Sequence, residues 1–267
     1  MNRRLSVLAW VVGAAALVVV LAGNPAMAGE PACAAGPPTV AAVAKAATAA
    51  RRLERALEET GADIVVVGRV GSDLGRHGIV YTHAGMAWRD DPAARWQVTH
   101  LLNDCGGPSS RLYRQGLVNF FLDDPLRHDA LMLVPDEATR RMLAARLRRG
   151  TSSALHRPVY SALAYPFRDA YQNSNQFVLE NLALARLGML NGGRDAAIAA
   201  LRDSRFGPHV VRLSATERLG GSFRANVRFD DHPAAEDSAR AYSVVTVEAI
   251  ERWMTATGIL AARRELR

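Results

Sequence analysis

The sequence predicts one α+β domain in which strands and helices follow each other irregularly. Strand-like runs lie on both sides of inserted helices, no linker rich in serine and glycine divides the chain, and no segment repeats. The 267 residues suffice for one large domain with a buried core. We assign residues 62–258 to this domain, 29–61 to a helical segment before it, and 259–267 to a tail.

Residues 1–28 have the layout of a secretory signal peptide. Arg3 and Arg4 precede an apolar run, and the small residues of Ala26-Met27-Ala28 follow it. A retained membrane anchor is the competing interpretation, because the run is about as long as a short spanning helix. The Ala-x-Ala pattern favours cleavage, which predicts a periplasmic or secreted protein without a membrane span after processing.

The basic composition does not indicate a nucleic-acid-binding protein. The formal net charge is +7, and removal of Arg3 and Arg4 with the signal lowers it to +5. The remaining arginines are scattered over predicted helix faces, without a platform of aromatic and basic residues. We expect no nucleic-acid partner, while attraction to anionic lipid or cell-wall polymers stays open.

Export makes the two cysteines, Cys33 and Cys105, informative. An oxidising compartment permits a disulfide between them. A free buried thiol and a reactive thiol are the alternatives, and the sequence leaves all three open.

In the first half of the chain, periodicity predicts a helix, a group of strands and a second helix. The first helix is rich in alanine and stops at Gly61; the second begins with acidic residues and stops at Gly150. Runs rich in β-branched residues predict strands, and RDDPAAR between two of them predicts a hairpin turn. The predicted elements are a helix at 37–60, strands at 63–68, 79–88, 96–102 and 128–135, and a helix at 136–150.

The second half opens with a long segment that has no periodicity. This segment, residues 151–172, contains Pro158, Pro166 and three tyrosines, and loops of such length are often functional. Helix and strand patterns resume after it. The predicted elements are a helix from about 174, a short helix at 194–203, strands at 210–214, 222–229 and 243–247, and a helix at 247–257.

Two histidines lie on the predicted hairpin. If the hairpin closes symmetrically about Asp91 and Pro92, His83 and His100 face each other with Cβ atoms about 5 Å apart. The imidazoles could then hydrogen-bond. A slip of one residue would place the rings on opposite faces of the sheet.

The run YQNSNQFV, at residues 171–178, opens an apolar helix with five uncharged polar side chains. With Asn173 as the cap, Ser174 lies in the first turn, where free backbone N–H groups favour negative charge. A serine nucleophile requires a base, which His83 would supply while His100 fixes its tautomer. Each residue alone is more often structural, and only the combination predicts a catalytic triad.

The predicted triad would share a cleft with aromatic and amide side chains that bind the substrate. No cofactor and no metal site is predicted, because Asp230-Asp231-His232 precedes Pro233 and indicates a turn, and adjacent residues rarely converge on one ion. The predicted substrate-binding residues are Tyr81, Tyr165, Tyr171, Asn173, Asn175 and Gln176.

Over residues 62–250 the chain resembles an uncharacterised bacterial family known as domain of unknown function 2145. The resemblance rests on stretches that include GRVGSDLGRHGIVYTHAGMAW, VTHLLNDCG, YRQGLVNFFLDDP, YQNSNQFVLE and FRANVRFDDHP. The family name implies no activity.

A more distant resemblance is to the circularly permuted NlpC-like papain-fold hydrolases, which include lecithin-retinol acyltransferase. In those proteins a strand histidine precedes a second histidine on the hairpin partner and, much later, a cysteine at a helix start. THAGMAW, QVTHLL and NSNQFV place His83, His100 and Ser174 in that order. The resemblance implies a papain-like antiparallel sheet packed against helices, and hydrolysis or transfer at an amide or ester bond. Serine in place of cysteine is a departure, because a helix N-terminus readily generates a thiolate but not an alkoxide.

These patterns leave three functions open. A hydrolase or acyltransferase would act on a peptide, cell-wall or lipid-like substrate with Ser174 as nucleophile, or with Cys105 as the alternative nucleophile. A binding module on the same scaffold would use residues 172–176 to hydrogen-bond a ligand. A structural envelope protein would bury the histidines in its core. The oligomeric state stays open in each case.

Overall fold

The structure, a computed structural model, describes residues 37–122 and 125–267. It is a mixed α+β fold around an antiparallel sheet of six strands, which confirms the predicted class. The predicted signal peptide at 1–28 lies outside the described residues. Within these two ranges, no helix is both long and apolar enough to cross a membrane.

Helices and strands follow one another irregularly along the chain. Short 3₁₀ turns at Gly75–His77 and Thr151–Leu155 separate some of them. The elements are α1 (Val40–Glu59), β1 (Ile64–Val70), β2 (His83–Trp88), β3 (Gln97–Asn103), β4 (Ser110–Gly116), α2 (Leu117–Leu122), β5 (Arg127–Pro135), α3 (Glu137–Arg148), α4 (Ser174–Arg186), α5 (Arg194–Asp203), β6 (His209–Arg212), α6 (Ala215–Ser222), α7 (Ala234–Ala239), β7 (Ala241–Val244), α8 (Val247–Ala256) and β8 (Leu260–Leu266).

The six-stranded sheet has the order β4-β3-β2-β1-β5-β8 and separates two apolar cores. Because side chains alternate along a strand, the four inner strands β3, β2, β1 and β5 contribute to both cores. On β2, Ala84 and Met86 pack in the core that contains α4, whereas Ala87 packs in the core beneath α1 and α2. We call these two sides the α4 face and the α1 face. β6 and β7 pair separately as a two-stranded ribbon.

The helix α4 is the centre of the larger core. Every residue from Ser174 to Ala185 is buried, although a surface helix would bury only one stripe. The helix contacts β2 and β3 of the sheet and packs against α3, α5 and α8. A helix enclosed on all sides has a fixed position, so its N-terminus is a rigid part of the fold.

Both edge strands of the sheet escaped the sequence prediction. β4 was not predicted as a strand, although it pairs with β3. β8 lies in residues 259–267, which were assigned to a tail. That assignment is wrong, because β8 pairs along its length with β5. Edge strands commonly carry charged side chains that discourage pairing with other chains. The arginines of RLYRQG and LAARREL therefore obscured the apolar alternation that identifies a strand.

The predicted strand at 222–229 is also wrong. Ser214 caps α6 by accepting a hydrogen bond from the Glu217 backbone N–H, and the Glu217 carboxylate accepts from the Ser214 N–H in return. This capping box begins a helix that runs to Ser222, and turns and irregular backbone follow.

The helix predicted in the N-terminal segment 29–61 is present as α1, and it packs on the domain. Leu53 and Leu57 are fully buried in the core that Val65 and Val67 form on the α1 face. Arg52 donates a hydrogen bond of 2.6 Å from Nη2 to the His128 carbonyl oxygen of β5. The α1 face of the sheet therefore needs this helix to cover it.

We expect Leu53→Ala to lower the free energy of unfolding by about 2–5 kcal/mol, because it removes buried methyl groups and leaves a cavity between α1 and the sheet. Val43→Ala, at an exposed position of the same helix, should change it by less than about 0.5 kcal/mol. Denaturant unfolding of the two variants measures the difference. Equal, small effects would show that α1 is not part of the cooperative core.

Candidate functional site

The two histidines of the predicted site lie in contact. His83 Nε2 and His100 Nδ1 are 2.9 Å apart. The predicted register was wrong by two residues: Met86 lies opposite Thr99, so Gly85 is the neighbour of His100. A shift of two preserves the side of the sheet to which each residue points, and the two rings still share a face.

Gln115 extends this pair into a chain of hydrogen bonds. Its Oε1 lies 3.1 Å from His100 Nε2. Because a carbonyl oxygen only accepts, His100 Nε2 carries a proton and His100 Nδ1 accepts one from His83 Nε2. His83 therefore has its lone pair on Nδ1. We call His83, His100 and Gln115 the imidazole relay.

The surroundings of the relay keep His83 uncharged. Burial lowers the pKa of His83 well below its usual value of 6.5, and the charges of Arg69 and His100 lower it further. Arg69 is buried and lies directly opposite His83 on β1. A neutral imidazole with a fixed tautomer is the form that accepts a proton in general-base catalysis.

An aromatic side chain and a glycine shape the space around the relay. The Phe120 ring of α2 lies 6.1 Å from the His83 ring and 5.5 Å from the His100 ring, measured between centroids. A Cβ atom at Gly85 would lie 2.4 Å from Val98 Cγ1 and 3.3 Å from His100 Cβ. Only glycine at this position lets the two rings approach without displacing Val98.

Ser174 does not join the relay. It is the first residue of α4, which packs on the α4 face beside Ala84 and Met86. His83 and His100 project from the α1 face, toward Phe120. No hydrogen bond among the described residues connects Ser174 with either imidazole. The structure thus brings together two of the three predicted catalytic residues and leaves the hydroxyl at the start of a helix on the other side of the sheet.

The polar run before α4 fastens the helix start to its surroundings. Asn173 is the N-cap and accepts from the Gln176 N–H at 2.8 Å. Gln172 Nε2 donates to Glu180 Oε2 at 2.7 Å, and Asn175 Nδ2 donates to the Val245 carbonyl oxygen at 3.2 Å. The side-chain oxygens of Asn175 and Gln176 are buried without a donor among the described residues.

The predicted substrate-binding tyrosines lie away from the relay. Tyr81 packs in the core on the α4 face. The Tyr165 backbone N–H donates to Asp231 at 2.7 Å, and the Tyr171 hydroxyl donates to Asp230 at 3.0 Å. Tyr165, Tyr171 and the predicted amides therefore lie around the start of α4, and Tyr81 packs in the core on that face.

The predicted turn at Asp230–His232 is present, and two of its residues are buried. His232 Nε2 lies 2.7 Å from the Leu163 carbonyl oxygen, and His232 Nδ1 lies 2.8 Å from Glu236. Among the described residues, no group of three or more histidine, cysteine, aspartate and glutamate side chains could hold a metal ion. The turn connects the loop before α4 with α7.

A buried ion pair completes the environment of α4. Glu180 is fully buried, and Arg194 donates to it from Nε at 3.0 Å and from Nη2 at 2.8 Å. Burial raises the pKa of Glu180 to about 7, although Arg194 and Gln172 act in the opposite direction. No sequence pattern indicated this pair, because the two residues are 14 positions apart on different helices.

Cys105 is disulfide-bonded. The alternative that made Cys105 the nucleophile is therefore wrong for this state of the protein, because a sulfur in a disulfide carries no thiolate. The other cysteine of the chain, Cys33, lies outside the described residues.

A family model described as "Uncharacterized protein conserved in bacteria (DUF2145)" matches residues 56–254, which is more than half of the chain. No curated protein and no solved structure matches.

We expect acid to destabilise the protein through His83. Its folded pKa lies below 6.5, so the unfolded chain binds a proton that the folded chain excludes as the pH falls below that value. Stability from this group is complete above pH 6.5 and is lost below it, with a slope of up to about 1.4 kcal/mol per pH unit. In His83→Gln this part of the slope should disappear, and urea unfolding at several pH values measures it. Parallel pH profiles for the two proteins would contradict the assignment.

Arg194→Ala should lower the free energy of unfolding by about 3–5 kcal/mol at about pH 8, because it leaves the Glu180 carboxylate buried and unpaired. At about pH 5 the loss should be smaller, since Glu180 then takes up a proton. Arg141→Ala breaks an exposed ion pair with Glu137 and should change the free energy of unfolding by less than about 0.5 kcal/mol. Urea unfolding at both pH values compares the variants; equal losses at the two arginines would contradict the structural role of the buried pair.

Proposed function

The chain belongs to the DUF2145 family of uncharacterized bacterial proteins, and from its geometry we propose an exported hydrolase or acyltransferase that uses His83 as a general base. The proposed bond is an amide or an ester, in a peptide, cell-wall or lipid-like substrate. The family description assigns no activity, so the proposal depends on the site.

The imidazole relay is the observation that carries the proposal. Gln115 Oε1 fixes the proton on His100 Nε2, and His100 Nδ1 in turn fixes the proton on His83 Nε2. The remaining lone pair on His83 Nδ1 can accept a proton from a nucleophile. A base oriented by further polar groups is the arrangement that recurs in acyl-transfer enzymes on unrelated folds.

The nucleophile in this proposal is water for hydrolysis, or an acceptor hydroxyl in its place for acyl transfer, because Ser174 begins a helix on the other face of the sheet. His83 Nδ1 takes a proton from water while the water oxygen bonds to the carbonyl carbon. The tetrahedral intermediate then expels the amine or alcohol, and the imidazolium returns the proton to that leaving group. The imidazole is neutral again at the end of the cycle.

A papain-like, permuted NlpC-type scaffold is part of this proposal. The order of His83, His100 and a polar helix start supports it, and so does the central position of α4 against the sheet. Export is supported by the layout of residues 1–28 and by the disulfide at Cys105, since disulfides persist mainly in oxidising compartments.

Activity on 4-nitrophenyl esters and on cell-wall stem peptides tests the proposal. We expect His83→Ala to lower kcat/KM by at least about 100-fold, the usual contribution of a positioned base. Gln115→Leu should have a smaller effect and shift the pH profile, because it releases the proton on His100. Ser174→Ala should retain activity.

The variants also distinguish the competing mechanisms. Loss of activity in Ser174→Ala, together with labelling of the wild-type protein by a fluorophosphonate, would show that the serine is the nucleophile and that water is not. Unchanged activity in folded His83→Ala would overturn the role of the base.

A binding module is the second candidate, and one observation favours it. Asn175 Oδ1, Gln176 Oε1 and Asp231 Oδ1 are buried near the start of α4 without a hydrogen-bond donor among the described residues. Such orphaned acceptors match a ligand that carries N–H or O–H groups. Stem-peptide binding that Gln176→Leu abolishes and His83→Ala leaves intact would support this function over hydrolysis.

A further inference from the structure

A groove of about 380 Å³ opens between α1 and the junction of β4 with α2. Its lining belongs to the α1 face, but none of its residues is part of the imidazole relay. The volume lies within the range of small-molecule sites. This groove is therefore a concave site on the α1 face that is separate from the imidazole relay.

Small side chains on α1 create the groove. Ala47 and Ala50 face it, and the larger Trp96 and Leu117, both buried, form apolar lining across from them. The Trp96 indole N–H is already bound to Glu58 at 2.6 Å. The ring therefore offers apolar surface to a ligand and no free donor.

The exposed lining of the groove is positively charged. Arg51 and Arg95 line it, and neither forms an ion pair with another described residue. Glu54 is the single acidic side chain in the lining. Two guanidinium groups beside apolar surface complement a ligand that has one anionic group and an apolar body.

We propose that this groove binds a small amphiphilic carboxylate, such as a medium-chain fatty acid. The apolar chain of the ligand packs on Ala47, Ala50 and Leu117. The carboxylate accepts hydrogen bonds from Arg51 and Arg95. Because the groove shares no residue with the imidazole relay, this binding is independent of the proposed hydrolysis.

Isothermal titration calorimetry with decanoate, below its micelle concentration, tests the proposal. We expect saturable binding of one decanoate, and a loss of at least about tenfold in affinity for Arg51→Ala and for Arg95→Ala, the usual effect of removing a charge-assisted hydrogen bond. Ala47→Leu should abolish binding by filling the groove, and leucine maintains the helix. Arg55→Ala, at an exposed arginine of α1 outside the groove, is the matched control and should bind as the wild-type protein does.

Titration with decanol, which has the same apolar chain but no charge, measures how much the carboxylate contributes to the affinity. The proposal expects decanol to bind at least about tenfold more weakly than decanoate. Equal binding of the two ligands, equal losses in Arg51→Ala and Arg55→Ala, or no saturable binding to the wild-type protein would each overturn it. Thermal unfolding of every variant shows that a lost signal does not come from a lost fold.

Discussion

A helix that is buried along its whole length must satisfy the polar groups of its first turn inside the protein. The first backbone N–H groups of α4 have no partner within the helix, and the residues that carry them are buried. Asn173 caps one of them, and Asn175 and Gln172 connect the same turn to neighbouring segments. This requirement explains why the apolar helix opens with amides and a serine. The same hydrogen bonds hold the long loop before α4 in place. The ion pair of Glu180 with Arg194 holds α5 against α4.

The sheet divides the molecule into two chemically different sides. On the α4 face, the buried polar groups mainly fasten loops and helix ends. On the α1 face, the imidazole relay ends in the uncharged Nδ1 of His83, to which no other residue in the described part of the chain is hydrogen-bonded. The proposed chemistry and the proposed ligand groove both lie on this second side. Both proposed sites are therefore built on the smaller core beneath α1 and α2.

Sequence patterns predicted the central helices and strands, but not the edge strands or the side of the sheet that each element covers. Periodicity located α3 and the start of α4, because both have strong caps and apolar spacing. It also paired His83 with His100, although through an incorrect register that happened to preserve the face. Which side of the sheet α4 covers depends on contacts between distant segments, and no local pattern encodes them. The same limit hid Gln115, whose role comes from its place opposite Val98 on an unpredicted edge strand.

The pairing of β2 with β3 limits how related chains can vary in length. Inside β3, one added or deleted residue between the turn and His100 would rotate that ring to the opposite side of the sheet and disconnect it from His83. Two added residues would restore its direction. Length variation within this strand should therefore be tolerated in steps of two, whereas the exposed tip of the turn, residues 90–93, can lengthen without changing the direction of either ring.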